Sequence, residues 1–204
     1  MRKLILVVHT SLDGFVAGPN GEFDDFPVGE ENLDFVCQLT EEADAALFGR
    51  NSYQLLNSYW PAAKDTPNAS SGTVAYSSWY NKAHKIVVSK TLTDEGLPNT
   101  SIIREDLQDE INAIKSRDGK NILLFGSPAL TKMLMQLDLI DSYWIFVNPV
   151  IFGKGIPLFT EPTNKIKLTL AKTRQFVNGE IGLYYIVNKH DDIGPRPRYF
   201  NQSA

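Results

Sequence analysis

Residues 122–159, ILLFGSPALTKMLMQLDLIDSYWIFVNPVIFGKGIPLF, decide the fold of this 204-residue chain. The apolar run 122–125 is typical of a strand covered on both faces, and Gly126 then allows the backbone to turn sharply. Ser127 predicts an N-cap and Pro128 a first helical residue. The apolar residues that follow recur at the spacing of one helical face: Leu130, Met133, Leu134 and Leu137. The segment therefore predicts a strand, a turn and a helix whose free N–H groups offer a site to an anion.

A second unit of the same kind lies earlier in the chain. The short apolar run 45–48 is followed by Gly49 and Arg50, and Asn51 or Ser52 is expected to cap the next helix. Such turns also join strands to helices for purely structural reasons in many α/β proteins, and that alternative holds for each unit alone. Two helix N-termini and an arginine together predict a site for phosphate groups.

Length and composition favour one domain over 1–190, followed by a tail over 191–204. The chain has 24 acidic and 20 basic residues, and this mildly negative balance argues against nucleic acid or an anionic membrane as a partner. A single cysteine, Cys37, excludes an internal disulfide and is expected to be a small core residue. Without a recognisable signal peptide or a membrane-length apolar run, a reducing cytoplasm is the expected location.

A metal site is not expected from the histidines. They share no H-E-x-x-H spacing and have no cysteine pair to join: His9, His84 and His190. The glycines likewise complete neither the Walker pattern nor G-x-G-x-x-G, which excludes a standard P-loop or Rossmann site.

Strand and helix patterns alternate along the chain and predict an α/β fold with a twisted, mostly parallel sheet and flanking helices. Strands are expected at 4–9, 45–48, 85–89, 102–104, 122–125 and 143–147, and helices at 30–42, at 52–59, from 107 to about 118, and after 127. The loop 10–29 and the polar segment 60–78 are expected to be irregular. Asn178-Gly179 predicts an antiparallel hairpin at the C-terminal end, which makes the sheet mixed.

Five segments in order resemble one family. LILVVHTSLDGFVAGPNGEFDDF, LFGRNSYQLL, KIVVSKTL, the segment 122–159 and the final hairpin are similar to the dihydrofolate-reductase-like domains related to the C-terminal reductase half of the bacterial riboflavin-biosynthesis deaminase-reductase. Each motif is weak alone, but the five together cover nearly the whole chain. The zinc-ligand pair H-x-E and P-C-x-x-C of the deaminase half is missing, so the resemblance is to the reductase domain standing alone.

The resemblance implies that NADPH binds across the carboxyl ends of the strands. The family's Gly-Arg turn matches Gly49, Arg50 and Ser52, which would hold phosphate groups. Its contacts to the adenosine ribose and 2′-phosphate match Ser89 and Lys90, although Lys90 fits a solvated surface lysine equally well. The other residues implied for the cofactor form the pyrophosphate turn and the nicotinamide lining: Gly126, Ser127, Pro128, Ala129, Val16, Ala17 and Gly21. Ser127 replaces a family glycine and would either crowd the cofactor or donate a hydroxyl.

Two carboxylates are the catalytic candidates. Asp13 matches the family's S-L-D-G signature and would hydrogen-bond the substrate or relay a proton. The alternative is a turn-capping aspartate before glycine. Glu31, four residues before Phe35, matches the acid and aromatic of dihydrofolate reductases, whereas the helix dipole alone also favours an acid there.

The expected function is an NADPH-dependent reductase that transfers a hydride to a small nitrogen heterocycle, such as an aminopyrimidine ribitol precursor or a pterin. The alternatives are an NADP(H)-binding module without turnover and an interaction protein that kept the fold and lost the site. A homodimer is also expected, because the strand 143–147 and the final hairpin carry bulky apolar residues on both faces and no later helix follows to cover them. Coverage by the chain's own helices is the alternative.

Overall fold

The computed structural model describes residues 1–22, 26–27, 29–93, 96–160 and 165–188. The expected domain boundary at 190, the tail after it and His190 lie outside these residues. In the described part of the chain, no helix is long and apolar enough to cross a bilayer.

The centre of the molecule is an eight-stranded sheet, and two further short strands form a separate pair. The strands are β1 (Leu4–Thr10), β2 (Phe15–Ala17), β3 (Ala43–Gly49), β4 (His84–Val88), β5 (Thr100–Ile103), β6 (Asn121–Phe125), β7 (Ser142–Val147), β8 (Ile156–Pro157), β9 (Leu168–Gln175) and β10 (Ile181–Val187). The order across the large sheet is β5-β4-β3-β6-β1-β7-β10-β9, and β2 pairs with β8. The first six strands in that order pair in parallel, while β10 is antiparallel to both β7 and β9. The predicted mixed, mostly parallel sheet with a C-terminal hairpin is confirmed.

Helices cover both faces of the sheet. They are α1 (Glu30–Glu41), α2 (Arg50–Ala63), α3 (Ser71–Lys82), α4 (Leu107–Ser116) and α5 (Pro128–Gln136). Because successive side chains of a strand point to opposite faces, β1 sends Leu4 and Leu6 into the core beneath α4 and α5, and Ile5 and Val7 into the core beneath α1 to α3. Burial on both faces explains why β1 and β6 read as continuous apolar runs.

The prediction that 60–78 is irregular is wrong. Helix α2 continues to Ala63, and α3 begins at Ser71 after Ser70, whose hydroxyl accepts a hydrogen bond from the Thr73 N–H (3.2 Å). Side chains of α3 satisfy the end of α2, because the Ser77 hydroxyl donates to the Trp60 carbonyl (2.7 Å). Tertiary contacts of this kind compensate for weak helix propensity, which a local reading of prolines and small residues does not capture.

Three local expectations also need correction. The loop 10–29 contains the short strand β2, which pairs with β8. Helix α2 begins at Arg50, two residues earlier than expected, with Gly49 rather than Asn51 or Ser52 at its N-cap. Ser127 occupies the N-cap position of α5, but its side chain makes no capping hydrogen bond within the described residues. Pro128 is the first residue of α5, as predicted.

The argument that β7 needs a partner chain is wrong. Strand β7 lies between β1 and β10, and Tyr143 is only 2% exposed while Trp144 is buried on the other face. The chain's own layers therefore cover β7. The edge strand β9, farther out, exposes two leucines, Leu168 and Leu170.

Cys37 lies half-buried in α1 and packs against the core beneath α1 to α3. Its thiol donates to the Gly72 carbonyl of α3 (3.4 Å), and burial raises its pKa. A raised thiol pKa disfavours the reactive thiolate, in keeping with the expected packing role.

Candidate functional site

A cleft of about 540 Å³ opens where β1 and β6 end. Its walls come from β1, β2, α2 and the turn after β6: Val7, Val8, His9, Val16, Ser52, Leu55, Leu56, Phe125, Gly126 and Ser127, with Phe26 beside them. The volume suits a small-molecule site, and the carboxyl edge of a parallel sheet is where α/β proteins bind ligands.

The two predicted turn units meet at this cleft. Strands β3 and β6 are parallel neighbours, so the turns at Gly49 and Gly126 lie side by side. They also pack closely, since a Cβ added to Gly49 would lie 3.1 Å from the Ser127 Cβ, and one added to Gly126 would lie 3.6 Å from the Ser52 hydroxyl. The structure therefore brings together four of the residues expected at the phosphates.

The turn after β6 has an unusual backbone. Gly126 and Ser127 both have positive φ, at 59° and 57°. Glycine adopts this left-handed conformation readily, whereas serine does so at a cost of about 1 kcal/mol. Pro128 and Ala129 then form the first turn of α5, directly behind the cleft.

Cations lie at the outer end of the same edge. The Arg50 guanidinium donates to the Thr91 hydroxyl (2.7 Å), in the segment that follows β4. Ser89 shapes that segment, because its hydroxyl accepts from the Thr91 and Leu92 N–H groups (3.2 and 3.0 Å). Lys90 is exposed there and borders a hollow of about 460 Å³. Arg50 directly follows the Gly49 turn, and its hydrogen bond to Thr91 brings it to the segment that carries Lys90. Both cations are exposed and therefore accessible to an anion.

The residues expected around the nicotinamide divide into two groups. Val16 lines the cleft. Ala17 is buried where β2 pairs with β8, and Gly21 lies in a turn in which its N–H donates to the Gly18 carbonyl (3.1 Å). Of the three residues, the structure brings only Val16 to the cleft wall.

Asp13 holds two loops together. Its Oδ1 accepts hydrogen bonds from the Ser11 hydroxyl (2.7 Å) and the Phe152 N–H (3.1 Å), and its Oδ2 accepts from the Gly153 N–H (2.8 Å). The Ser11 hydrogen bond is the main cause that lowers the pKa of Asp13. Both oxygens of this ionised carboxylate already accept hydrogen bonds from the two loops. This fits the role of a turn-capping aspartate better than the role of a proton donor.

Glu31 faces another part of the molecule. Its carboxylate accepts from the Val177 N–H (3.0 Å) and contacts the Arg174 guanidinium (3.4 Å), both in the final hairpin. It borders a second cleft, of about 720 Å³, between α1 and that hairpin. This cleft is larger, but none of the expected phosphate residues lines it, so the cleft at the carboxyl ends of β1 and β6 is the better site candidate.

One polar cluster at the cleft was missed in the sequence. His9, the penultimate residue of β1, lies with its Nδ1 2.8 Å from Oε1 of Glu180, which is fully buried. Asn32 of α1 donates from Nδ2 to the other carboxylate oxygen (2.8 Å). A histidine that ends an otherwise apolar strand was the available signal, because such a polar residue needs a partner when the strand is buried.

Among the described residues, no group of three His, Cys, Asp or Glu side chains is placed to hold a metal ion. The polar groups of the cleft are instead those of a small-molecule site, in which a few polar groups stand among apolar walls.

The fold and the cleft agree with the family comparison. Residues 2–181 match the model of the RibD C-terminal domain, and the chain belongs to that family. It is 31% identical over 187 residues to the uncharacterized protein YyaP of Bacillus subtilis (strain 168), a match that covers 90% of this chain and 94% of YyaP. The resemblance seen in the sequence is thereby confirmed.

Two solved structures share the fold. A riboflavin-biosynthesis-type protein from Shewanella sp. PV-4 superposes with a TM-score of 0.70 at 24% identity, covering 92% of this chain and 99% of that one. The diaminohydroxyphosphoribosylaminopyrimidine deaminase/5-amino-6-(5-phosphoribosylamino)uracil reductase of Thermotoga maritima superposes with a TM-score of 0.63 at 17% identity, covering 92% of this chain and 57% of that one. At the level of the family, the chain is reductase-like.

Proposed function

We propose that this protein is an NADPH-dependent reductase of a small nitrogen heterocycle. The observation that supports the proposal most is the continuous row along one sheet edge: an apolar cleft, two packed glycine turns at helix N-termini, and two cations beyond them. A dinucleotide needs these features in this order, namely a slot for the nicotinamide, N–H groups for the pyrophosphate and positive charge for the 2′-phosphate.

The residues present fit that cofactor. At Gly126 no side chain intrudes, and a Cβ there would reach the Ser52 hydroxyl, so the glycine leaves the helix N-termini open to a phosphate. Gly49, Arg50, Ser52, Gly126, Ser127, Pro128 and Ala129 would hold the diphosphate, and Ser89 and Lys90 the adenosine end. Val16 would lie against the nicotinamide, with Ala17 and Gly21 shaping its loop. When bound, the cofactor supplies the hydride, while the protein supplies position and electrostatics.

The substrate would occupy the apolar part of the same cleft. Aromatic and aliphatic walls favour a flat ring, and the polar groups at its floor favour a ring that bears nitrogen or oxygen atoms. An aminopyrimidine, such as a riboflavin precursor, and a pterin both meet this description. Reductase activity on such a ring agrees with the family, and the reductase named among the fold neighbours acts on an aminouracil.

Ser127 supports a second candidate, an NADP(H)-binding module without turnover. Its side chain stands where the resembling reductases have glycine, beside the expected pyrophosphate. An interaction protein that kept the fold and lost the site is the third candidate. Cofactor binding without oxidation would favour the module, and absence of cofactor binding would favour the interaction protein.

The proposal includes a homodimer in the cytoplasm, with no nucleic-acid or membrane partner. The exposed apolar side chains on β9 support the dimer, because an edge strand that exposes leucines is a common site of pairing with another chain. A reducing compartment also suits a chain with one cysteine.

A fluorescence titration with NADPH and NADH tests the proposal. We expect NADPH to bind at least tenfold more tightly, because Lys90 would face the 2′-phosphate that NADH lacks. Oxidation of NADPH at 340 nm is then followed with 5-amino-6-(5-phosphoribosylamino)uracil and with dihydrofolate. Equal affinity for the two cofactors would contradict the assignment of the cations.

A further inference from the structure

The polar cluster at the floor of the cleft joins three distant parts of the chain. Glu180 lies in the turn between β9 and β10 and is 0% exposed. Its two carboxylate oxygens contact His9 at the end of β1 and Asn32 in α1, each at 2.8 Å. Among the described residues, Oε2 accepts the hydrogen bond from Asn32, while Oε1 has the close ion-pair contact with His9 but no hydrogen bond of good geometry. The ion pair therefore places the His9 ring against the buried carboxylate.

The imidazole of His9 is held with one edge toward the cleft. The ring stacks on Phe146, with centroids 5.0 Å apart and 25° between the planes. Nδ1 faces the buried carboxylate, whereas the side chain remains 25% exposed and lines the cleft. No described residue is a hydrogen-bond partner of Nε2. The ring of His9 is therefore partly accessible from the cleft.

Asn148 places an amide beside the cluster. Its Nδ2 donates to the Thr10 and Phe146 carbonyls, both at 3.2 Å, and these two acceptors fix the orientation of the amide. Its Oδ1 is buried without a hydrogen-bond partner in the described part of the chain. Since Nδ2 is only 3.5 Å from His9 Nδ1, the unpaired acceptor belongs to the same cluster. The amide of Asn148 therefore ties Thr10 and Phe146 together next to His9 and places a buried acceptor beside the ring.

We propose that His9 is the catalytic residue that gives a proton to the substrate, a step that rests on the reductase function proposed above. The substrate class is a heterocycle with a C=N or C=O bond. The carbon of that bond gains a hydride, and its π electrons move to the nitrogen or oxygen. That atom would take the proton from Nε2 as the N–H bond of the protonated ring breaks, and NADPH, when bound, would supply the hydride and become NADP⁺. The imidazole regains a proton from water, which the exposed edge of His9 admits.

Glu180 and Asn32 act as positioning residues. A carboxylate beside Nδ1 holds the tautomer with a proton on Nδ1 and keeps the ring in the orientation from which Nε2 would transfer its proton. Asn32 keeps the carboxylate aligned by donating to its second oxygen. The arrangement follows the logic of a carboxylate that orients a catalytic histidine in hydrolases, here applied to a proton donor.

Substrate contact with His9 can be tested without turnover. In the protein labelled with ¹⁵N-histidine, we expect 5-amino-6-(5-phosphoribosylamino)uracil or dihydrofolate to shift the imidazole resonances of His9, both with and without NADPH. His84 is the internal reference, because it is exposed and its nitrogens already contact Asn99 and Ser101. If neither compound shifts His9, the inference is overturned, whatever the result of the NADPH titration.

Variants then test the proton transfer. His9→Phe keeps a ring to stack on Phe146 but holds no proton, and we expect kcat to fall by about two to four orders of magnitude with the NADPH Kd unchanged. Glu180→Gln should lower kcat less and leave KM unchanged. His9→Gln guards against misfolding of the phenylalanine variant, and His84→Gln is the matched control with wild-type activity. Unchanged kcat in a folded His9 variant would overturn the inference, whereas absence of NADPH binding by the wild type would instead contradict the proposed reductase function.

Discussion

The side chain of Ser127 occupies the space that Gly49 leaves by having none. A Cβ added at Gly49 would lie 3.1 Å from the Ser127 Cβ and closer still to its hydroxyl oxygen. The two residues belong to turns after neighbouring strands, β3 and β6. With serine at position 127, position 49 has no room for a Cβ, so the two positions form one structural unit.

A double-mutant cycle measures the interaction between positions 49 and 127. The backbone of Gly49 has φ −77° and ψ 163°, which any residue adopts, so Gly49→Ala would be costly only through contact with Ser127. We expect Gly49→Ala to lower the free energy of unfolding by about 1–3 kcal/mol, the usual cost of overpacking. In the Ser127→Gly background the cost should fall to a few tenths, because the clashing atoms are gone. Equal costs in both backgrounds, measured by urea unfolding, would show that the turns do not pack as described.

Charge reversal tests the adenosine end of the cofactor site. Lys90→Glu places a negative charge where the 2′-phosphate is expected, so NADPH affinity should fall while NADH affinity changes little. The ratio of the two dissociation constants is the measurement. Lys82→Glu is the matched control, since it makes the same charge change at the opposite end of β4. If the ratio of the two dissociation constants is the same in Lys90→Glu as in the wild type, Lys90 is a solvated surface lysine that does not contact the 2′-phosphate.

Substitution of Asp13 distinguishes a role in loop anchoring from a role in catalysis. Its folded pKa is lowered, chiefly by the Ser11 hydrogen bond, so it contributes stability above the unfolded pKa, and this contribution is lost as pH falls through the folded pKa. We expect Asp13→Asn to lower the melting temperature at pH 7 and to remove part of the loss of stability below about pH 4. Under the anchoring role, kcat changes less than tenfold. A loss of two to four orders of magnitude in kcat with unchanged melting would establish Asp13 as an acid-base group instead.

The strands of the sheet were predictable because the spacing of apolar residues along the sequence reflects which side chains are buried. Central strands such as β1 and β6 must be apolar on both faces, and that requirement is visible in any short window of sequence. Helix α3 was not predictable in this way. Its residues are small and polar, and its stability depends on contacts with α2, among them the hydrogen bond from Ser77 to Trp60. Such contacts between segments leave no local pattern.

The turns of the candidate site were predictable from the sequence, but the partners of its polar side chains were not. The turns at Gly49 and Gly126 follow from local signals, and strand order brings them together. The pairing of His9 with Glu180 joins the two ends of the described chain, so no spacing rule reveals it. Asp13 and Glu31 matched family motifs, yet their partners lie in the loop at 152–153 and in the final hairpin. Residue type alone does not say which neighbours a carboxylate will find.

The edge of the sheet supplies the last prediction, the homodimer. Strand β9 is the edge strand on the hairpin side of the sheet and is almost wholly exposed. Its Leu170 lies opposite Tyr185 of β10. We expect light scattering at micromolar concentration to give the mass of a dimer, and Leu170→Glu to shift it toward the monomer, because a buried charge would oppose association. Tyr143→Glu is unsuitable as a probe, since Tyr143 is buried within the chain. Val74→Glu is the matched control: Val74 lies on α3 and is 41% exposed, close to the 48% of Leu170. A monomer mass for the wild type, or equal dissociation by both variants, would contradict an interface at β9.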